Sequence, residues 1–502
     1  MNKLIFSFLF FSTLAAAQRP DTTYSQPFRP QFHFSPRINW TNDPNGLVFH
    51  NGEYHLFYQY NPFGNKWGHM TWGHAVSKDL MRWQELPPAI AEDKNGMIFS
   101  GSCVVDVNNT SGFGKGGKTP LVAIYTNHRE KNQSQHLAWS LDDGRTWTKY
   151  DKNPVIDLNM ADFRDPSVFW HESSKRWVMS VVLPHEKKAL FYGSPNLKDW
   201  TKLSEFTAPQ GEGIWECPAL IEVPVEGQAT SKWLLLLSIQ SGAPAGGSGM
   251  RYFIGDFDGT TFRSDFRPGD VRYVDYGKDY YAAITYNNTP RRISLGWMNN
   301  WQYANDIPTS PFRGAMTLPR DLKIIKTDTT YELRQQVIKE FSPLTSHSYQ
   351  WRGIDTKQLN QSLKQKRIPG DNYVLTVASE LDSNLVVKVR QGVGEETLIG
   401  YDAASRQVYV DRTKSGQTSF SKNFPGRFSA PLKLRDEGIS QPERTMVRLQ
   451  IYVDRSSVEV FANDGQVTLT NLIFPKPESK GIEFVGGGVR SVTIRNVEST
   501  WK

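Results

Sequence analysis

Residues 138–150 read AWSLDDGRTWTKY. An apolar strand end runs into Ser140, then Asp142, Asp143 and Gly144, then Thr146 and Trp147. This spells a hairpin whose Ser and Asp tie the turn while Trp147 plugs the layer beneath. Three other stretches share the spelling: AVSKDLMRWQEL (75–86), YGSPNLKDWTKL (192–203) and FIGDFDGTTFRSD (253–265). Their aromatics, Trp83, Trp147, Trp200 and Phe262, stand 64, 53 and 62 residues apart. A spacing near 60 suits one four-stranded propeller blade with generous loops. Four copies and a closing segment through SLGWMNNW (294–301) predict five blades.

The surrounding texture agrees. LVAIYT, RWVMSVVL, KWLLLLSI, LVVKVRQ and SVEVFA are short apolar or alternating runs, and helical periodicity is nearly absent, so the chain reads as all-β. After AMTLPRDLKI (315–324) the repeat stops. The predicted domains are a five-bladed β-propeller over 25–338, a linker over 339–353 and a C-terminal β-sandwich over 354–502 that packs against the propeller.

Composition narrows the function. The first 17 residues carry one Lys, an apolar run and Ala15-Ala16-Ala17, the layout of a signal peptide cut near Ala17, so the protein is expected to be secreted, extracellular or periplasmic. No later run predicts a membrane span. Two cysteines, Cys103 and Cys217, offer no disulfide framework and read as buried free thiols. The +7 charge is scattered rather than gathered into a stripe, which argues against a nucleic-acid partner. Fifteen Trp and 20 Tyr suit the apolar faces and hydroxyl rims of sugars.

Three acids stand at the mouths of apolar strands. Asp43 lies in WTNDPNG (40–46), read as a rigid turn rich in backbone N–H groups; Asp165 follows Arg164 in ADFRDPSVFW; Glu216 lies in WECPAL. A propeller gathers one loop end from each blade around a central funnel, so acids this distant in sequence can meet. His69 and His74 lack a third metal ligand, and no G-x-S-x-G elbow is present, so neither a zinc site nor a serine nucleophile is predicted. Paired carboxylates suit glycoside cleavage. Glu216, between Trp215 and Cys217, is expected to be desolvated and raised, as a general acid requires, and Asp43 to stay ionised.

WTNDPNGLVFHNGEYHLFYQYNP, WGHMTWGHAVSKDLMRW, FSGS, FRDPSVFW, WECPAL, WMNNWQYANDIPTSPFRGAMTLPRDL and DRSSVEVFANDG resemble the invertase, inulinase and levanase family, glycoside hydrolase family 32, from about Phe32 to the end. Thr41 stands where many relatives carry Met. The resemblance implies a propeller joined to a sandwich, acting on β-fructosyl linkages with retention and without metal or organic cofactor. It makes Asp43 the nucleophile, Glu216 the acid/base and Asp165 the stabiliser of the transition state, with the Asp43 and Glu216 carboxyls about 5–5.5 Å apart. Asn42, Gln59, Trp67, Phe99, Ser100, Arg164 and Trp301 match positions that line the terminal-fructose pocket.

Fructan or sucrose is the implied substrate, with exo-acting release of fructose from levan, inulin or sucrose favoured. Endo action and fructosyl transfer stay open, and SIQSGAPAGGSGMRYF (238–253) reads as a mobile rim loop bearing on that choice or as a plain connector. A non-catalytic fructan-binding propeller and a sialidase are the rivals. The first would lack one of the three acids; the second needs several arginines, where the acid motifs hold Arg164 alone.

Overall fold

The computed structural model describes residues 23–208, 213–328, 330–366, 368, 370–433 and 446–501. The expected signal peptide, 1–17, lies outside them. The N-terminal part is five sheets, antiparallel but for one short parallel strand in the first, and the C-terminal part is two. The first strands of the five sheets are Asn39–His50, Met97–Val105, Arg164–His171, Trp215–Pro224 and Tyr281–Thr285. Each touches the next, and the fifth touches the first.

Apolar clusters fill the spaces between successive sheets. Val48, Phe57 and Trp72 of the first sheet pack on Cys103 and Leu121 of the second. Val122 and Leu137 then meet Val168 and Met179 of the third, and Val178 and Phe191 meet Leu235 and Phe253 of the fourth. Sandwiched strands need apolar side chains on both faces, which explains near-continuous runs such as Arg176–Leu183. The first sheet also takes in Phe312–Arg313, which lies parallel to Asn39–Trp40.

The four repeated hairpins fall between the third and outermost strands of the first four sheets. Ser140 Oγ donates to Asp142 Oδ1 at 2.7 Å, Gly144 N to Ser140 Oγ at 3.0 Å and Trp147 Nε1 to Gly144 O at 2.9 Å. Trp200 repeats the last bond to Leu197 O at 2.8 Å. The turn therefore closes on its own polar side chains, as its spelling requires.

The two C-terminal sheets, of six and five strands, enclose their own core of Leu375, Val387, Ile399, Leu449 and Ile494. Two local expectations change. Thr345–Arg352, read as part of a linker, is an edge strand paired with Val489–Val497, its mixed polar face suiting half-exposure. Thr356–Lys366 is a helix, with Asp355 Oδ1 accepting from Gln358 N at 2.8 Å as its cap, and Leu359 and Leu363 buried one turn apart.

The two parts share buried charge. His33, ahead of the first sheet, is held between Asp454 Oδ2 at 2.8 Å and Glu459 Oε1 at 2.9 Å. Arg320 of the fifth sheet reaches Glu459 Oε2 at 2.6 Å and Asp275 Oδ2 at 3.0 Å. Cys103 and Cys217 are both buried and free. Among the described residues no helix is long and apolar enough to cross a membrane.

Candidate active site

Every one of the five first strands is interrupted at the same end by the same device, two residues standing opposite one. Asn42 and Asp43 oppose Gln59, Phe99 and Ser100 oppose Thr126, and Asp165 and Pro166 oppose Val181. Cys217 and Pro218 oppose Leu237, and Ala282 and Ala283 oppose Gly296. A bulge bends the strand and re-aims its side chains. Here the bulges of the first four sheets bring side chains to one depression of about 380 Å³, and Tyr281 at the fifth reaches Glu216. Asn42, Asp43, Gln59, Trp67, Phe99, Ser100, Arg164, Asp165, Glu216 and Trp301 all line the depression.

The turn expected at 40–46 is thus a bulged stretch inside one twelve-residue strand. Gly46 is needed there: its φ is +54°, and a Cβ would sit 2.6 Å from the Phe57 ring. The donors to Asp43 are side chains rather than the backbone amides expected of a turn. Asn42 Nδ2 reaches Oδ1 at 3.0 Å, and Ser100 Oγ reaches Oδ2 at 2.8 Å, with Cys217 Sγ 3.6 Å from Oδ2. Trp40 Nε1 in turn donates to Asn42 Oδ1 at 2.7 Å and so fixes which way the amide faces.

Asp165 has φ 66°, a left-handed conformation unusual for a side chain other than Gly. The bulge imposes it, and bonds on both sides hold it: its N donates to Thr126 Oγ1 at 2.9 Å, and its Oδ2 accepts from Cys217 N at 3.0 Å. Arg164 turns the other way. Its Nε and Nη2 hold Glu216 Oε1 at 3.1 and 3.0 Å, and its Nη1 holds Asp162 Oδ1 at 2.6 Å. Tyr281 donates its hydroxyl to Glu216 Oε2. Glu216 is therefore clasped by a guanidinium and a phenol, in place of the apolar shell expected from Trp215 and Cys217.

Burial acts on the two aspartates. Burial, then the charge of Glu216, raises Asp43 to about 6, against the pull of Asn42, Ser100 and Cys217. Burial likewise pushes Asp165 up, opposed by Arg164 and reinforced by Glu216. Asp43, expected to stay ionised, is thus held above the ordinary carboxylate range.

The walls are aromatic and polar. Trp301 packs on Trp297 and Trp40, with ring centroids 4.8 and 6.1 Å away, and Trp67 stands at the rim with 42% of its surface exposed. Phe99 stacks on His128 at 4.2 Å. Gln59 is buried, and its Nε2 has no partner among the described residues. A buried donor left open inside a depression is costly unless a ligand accepts from it.

The sequence profile of the glycosyl hydrolases family 32 N-terminal domain matches residues 33–337, and that of the family's C-terminal domain matches 340–500. The chain belongs to glycosyl hydrolases family 32. Family 32 relatives extend over almost all of it: a levanase of Bacillus subtilis is 46% identical, covering 99% of this chain and 74% of the relative. An extracellular exo-inulinase of Aspergillus ficuum is 43% identical, covering 95% and 96%. Among solved structures, the exo-inulinase of Aspergillus awamori superposes with a TM-score of 0.88 at 40% identity, over 95% of this chain and all of that one. A β-fructofuranosidase of Schwanniomyces occidentalis complexed with fructosyl-erythritol follows at 0.83 and 34%, over 94% and 98%. This family 32 chain is an enzyme, a glycoside hydrolase.

Several pocket residues of this family 32 enzyme were not singled out from its sequence. His128, Gln133, Asp162 and Gln240 line the depression, and Tyr281, buried and not itself part of the lining, bonds Glu216. Asp162 could have been found, since it stands two residues before Arg164 in ADFRDP. Tyr281 carries no local signal. It opens an apolar strand, and its partner lies 65 residues away.

Proposed function

We propose that this chain is a secreted, retaining exo-β-fructosidase that releases terminal fructose from levan, inulin and sucrose. Its five sheets form a five-bladed propeller, catalytic over 25–338, beside a sandwich that takes in Thr345–Arg352. The observation that carries the reading is the convergence of Asp43, Asp165 and Glu216, from three different sheets, on one pocket with aromatic walls and an open donor on Gln59.

In this reading Asp43 attacks C2 of the terminal fructosyl unit while Glu216 gives its proton to the leaving oxygen. A covalent fructosyl-enzyme forms, and Glu216 then takes a proton from water so that the water oxygen replaces Asp43. The Asn42 and Ser100 bonds fix the attacking carboxylate, and a fixed angle of attack is worth several orders of magnitude in rate. Asp165, locked by its bulge, faces the positive charge that develops on the ring. Gln59, Trp67, Phe99, Arg164 and Trp301 surround the sugar hydroxyls and faces.

The names of the relatives, levanase and extracellular exo-inulinase, support the substrate class and the secretion. The test is a time course on levan, inulin and sucrose with products separated by anion-exchange chromatography. Fructose alone from the earliest points is expected. A ladder of oligosaccharides would replace exo by endo action, a fructosylated acceptor would show transfer, and no release from any of the three would remove the substrate class.

A further inference from the structure

We propose that the C-terminal sandwich holds the Trp301 wall of the pocket in place, with Arg412 as the positioning residue acting through Asp279 and Tyr303. This rests on the fructosyl-pocket reading for its kinetic consequence, though not for the bonds themselves.

Trp301 sits in the segment 298–311, which has no regular strand of its own. Its neighbours do the fixing. Asn300 Nδ2 donates to Ser248 O at 3.1 Å and Lys278 O at 2.8 Å, and Trp301 N donates to Ser248 Oγ at 3.1 Å. Lys278 Nζ ties Ala245 O, Gly246 O and Gln302 Oε1 together at 2.8, 2.9 and 2.8 Å. The stretch 238–253, read as a mobile rim loop or a connector, has its two ends on the strands Ser231–Ile239 and Gly249–Phe257, and the connection between them, 240–248, is tied to the Trp301 segment by these bonds.

The pinning continues into the sandwich. Arg412, on the strand Gln407–Lys414, reaches Asp279 Oδ2 at 2.5 Å and the Tyr303 hydroxyl at 2.8 Å. Tyr303 donates to the other oxygen of Asp279, and Leu472 N adds a bond to Oδ2 at 2.7 Å. Arg412, Asp279 and Tyr303 are fully buried. Around them Met298, Tyr303 and Ile307 share one apolar cluster with Phe424, Leu472 and Phe474 of the sandwich. The segment that carries Trp301 is thus packed on the sandwich as much as on its own sheet.

A buried ion pair seldom stabilises more than apolar packing would, whereas it does restrict geometry. Apolar residues alone would glue the two parts together. The bonded triad adds direction: it sets Tyr303, two residues beyond Trp301, and Asp279, two residues before Tyr281. A wall that touches the sugar in both ground and transition states contributes uniform binding, so loosening it raises KM and leaves kcat nearly unchanged.

The test compares Tyr303→Phe, which keeps the ring and the Arg412–Asp279 pair, with the charge-free double variant Asp279→Asn/Arg412→Met. Trp501→Phe is the control. It removes a bond from Trp501 Nε1 to Pro30 O, 2.7 Å long, elsewhere in the same seam. Expected are a KM for sucrose raised about fivefold or more, kcat within about twofold, and faster amide exchange over 298–308 in both test variants. Trp501→Phe should lower the Tm without either change. Wild-type KM and exchange in Tyr303→Phe, or equal effects in the control, would overturn the proposal. If the double variant fails to fold, Tyr303→Phe decides alone. A wild-type protein inert on every fructoside would remove the substrate reading, while the exchange data would still judge the brace.

Discussion

Tyr281 and Glu216 occupy the same position of the same bulge in neighbouring sheets, and their side chains meet, hydroxyl to Oε2. Arg164 occupies that position in the third sheet and holds the other oxygen. One backbone device, repeated, delivers an acid and its two orienting groups to a common point.

Removing the phenol should therefore disturb chemistry more than folding. Hydrogen bonds to charged groups contribute about 1.5–3 kcal/mol, so Tyr281→Phe is expected to lower kcat/KM roughly tenfold or more. Circular dichroism should stay unchanged. Rates equal to wild type would show that Arg164 alone orients Glu216.

Asp43→Asn should abolish turnover, by on the order of 10⁴-fold or more, and should also stabilise the fold. The folded Asp43 holds its proton up to about pH 6, against an ordinary value of 3.8. The folded state binds the extra proton between those values, so stability falls as pH rises from about 3.8 to 6 and stays reduced above. The loss is about 3 kcal/mol. Melting curves of Asp43→Asn should lie above wild type at pH 7.5 and converge with it near pH 3.5.

The same acid sets the low-pH side of catalysis. The kcat/KM profile should fall below about pH 6, as Asp43 takes up its proton. After burial, the charge of Glu216 is the next cause of that elevation. In Glu216→Gln, assayed on a fructoside whose leaving group needs no acid, the limb should move to lower pH. A limb that stays in place would mean that burial alone lifts Asp43.

The seam between the two parts should weaken in alkali. Burial works against a charged His33, yet hydrogen bonds to Asp454 and Glu459 outweigh it and raise His33 to about 9 from 6.5. A raised histidine contributes its full stability below about pH 6.5 and loses it as pH climbs through 9, for about 3 kcal/mol in all. Wild-type Tm should drop across that interval. His33→Gln should start lower and vary less.

The legible part of this molecule was local. Ser140, Asp142 and Trp147 close a turn within eight residues, so their spelling betrayed one sheet edge and the repeat betrayed three others. Asp43, Asp165 and Glu216 could be picked out because each opens an apolar run, with a proline directly after the first two and one residue further on after the third. What stayed hidden depends on pairing partners far away. Whether Asn42-Asp43-Pro44 is a turn or a bulge is decided by Gln59 opposite, and Pro and Asn suit either. Thr345–Arg352 looks like a connection until Val489–Val497 supplies its neighbour. The surroundings of Glu216 come from Arg164 and Tyr281, 52 and 65 residues away, so its immediate neighbours Trp215 and Cys217 gave a false impression of an apolar shell.

The parallel seat of Phe312–Arg313 beside Asn39–Trp40, together with the grip of Asp454 on His33 across 421 residues, bears on the order in which the molecule comes into being. On a ribosome the strand that carries Asp43 lacks its parallel neighbour until about six-tenths of the polypeptide has been made, and His33 ahead of it lacks Asp454 until about nine-tenths. Contacts of such span form late, after a long entropic search. A growing chain therefore closes its first sheet only when Phe312–Arg313 returns to it, and fastens the segment before that sheet only when its final tenth arrives.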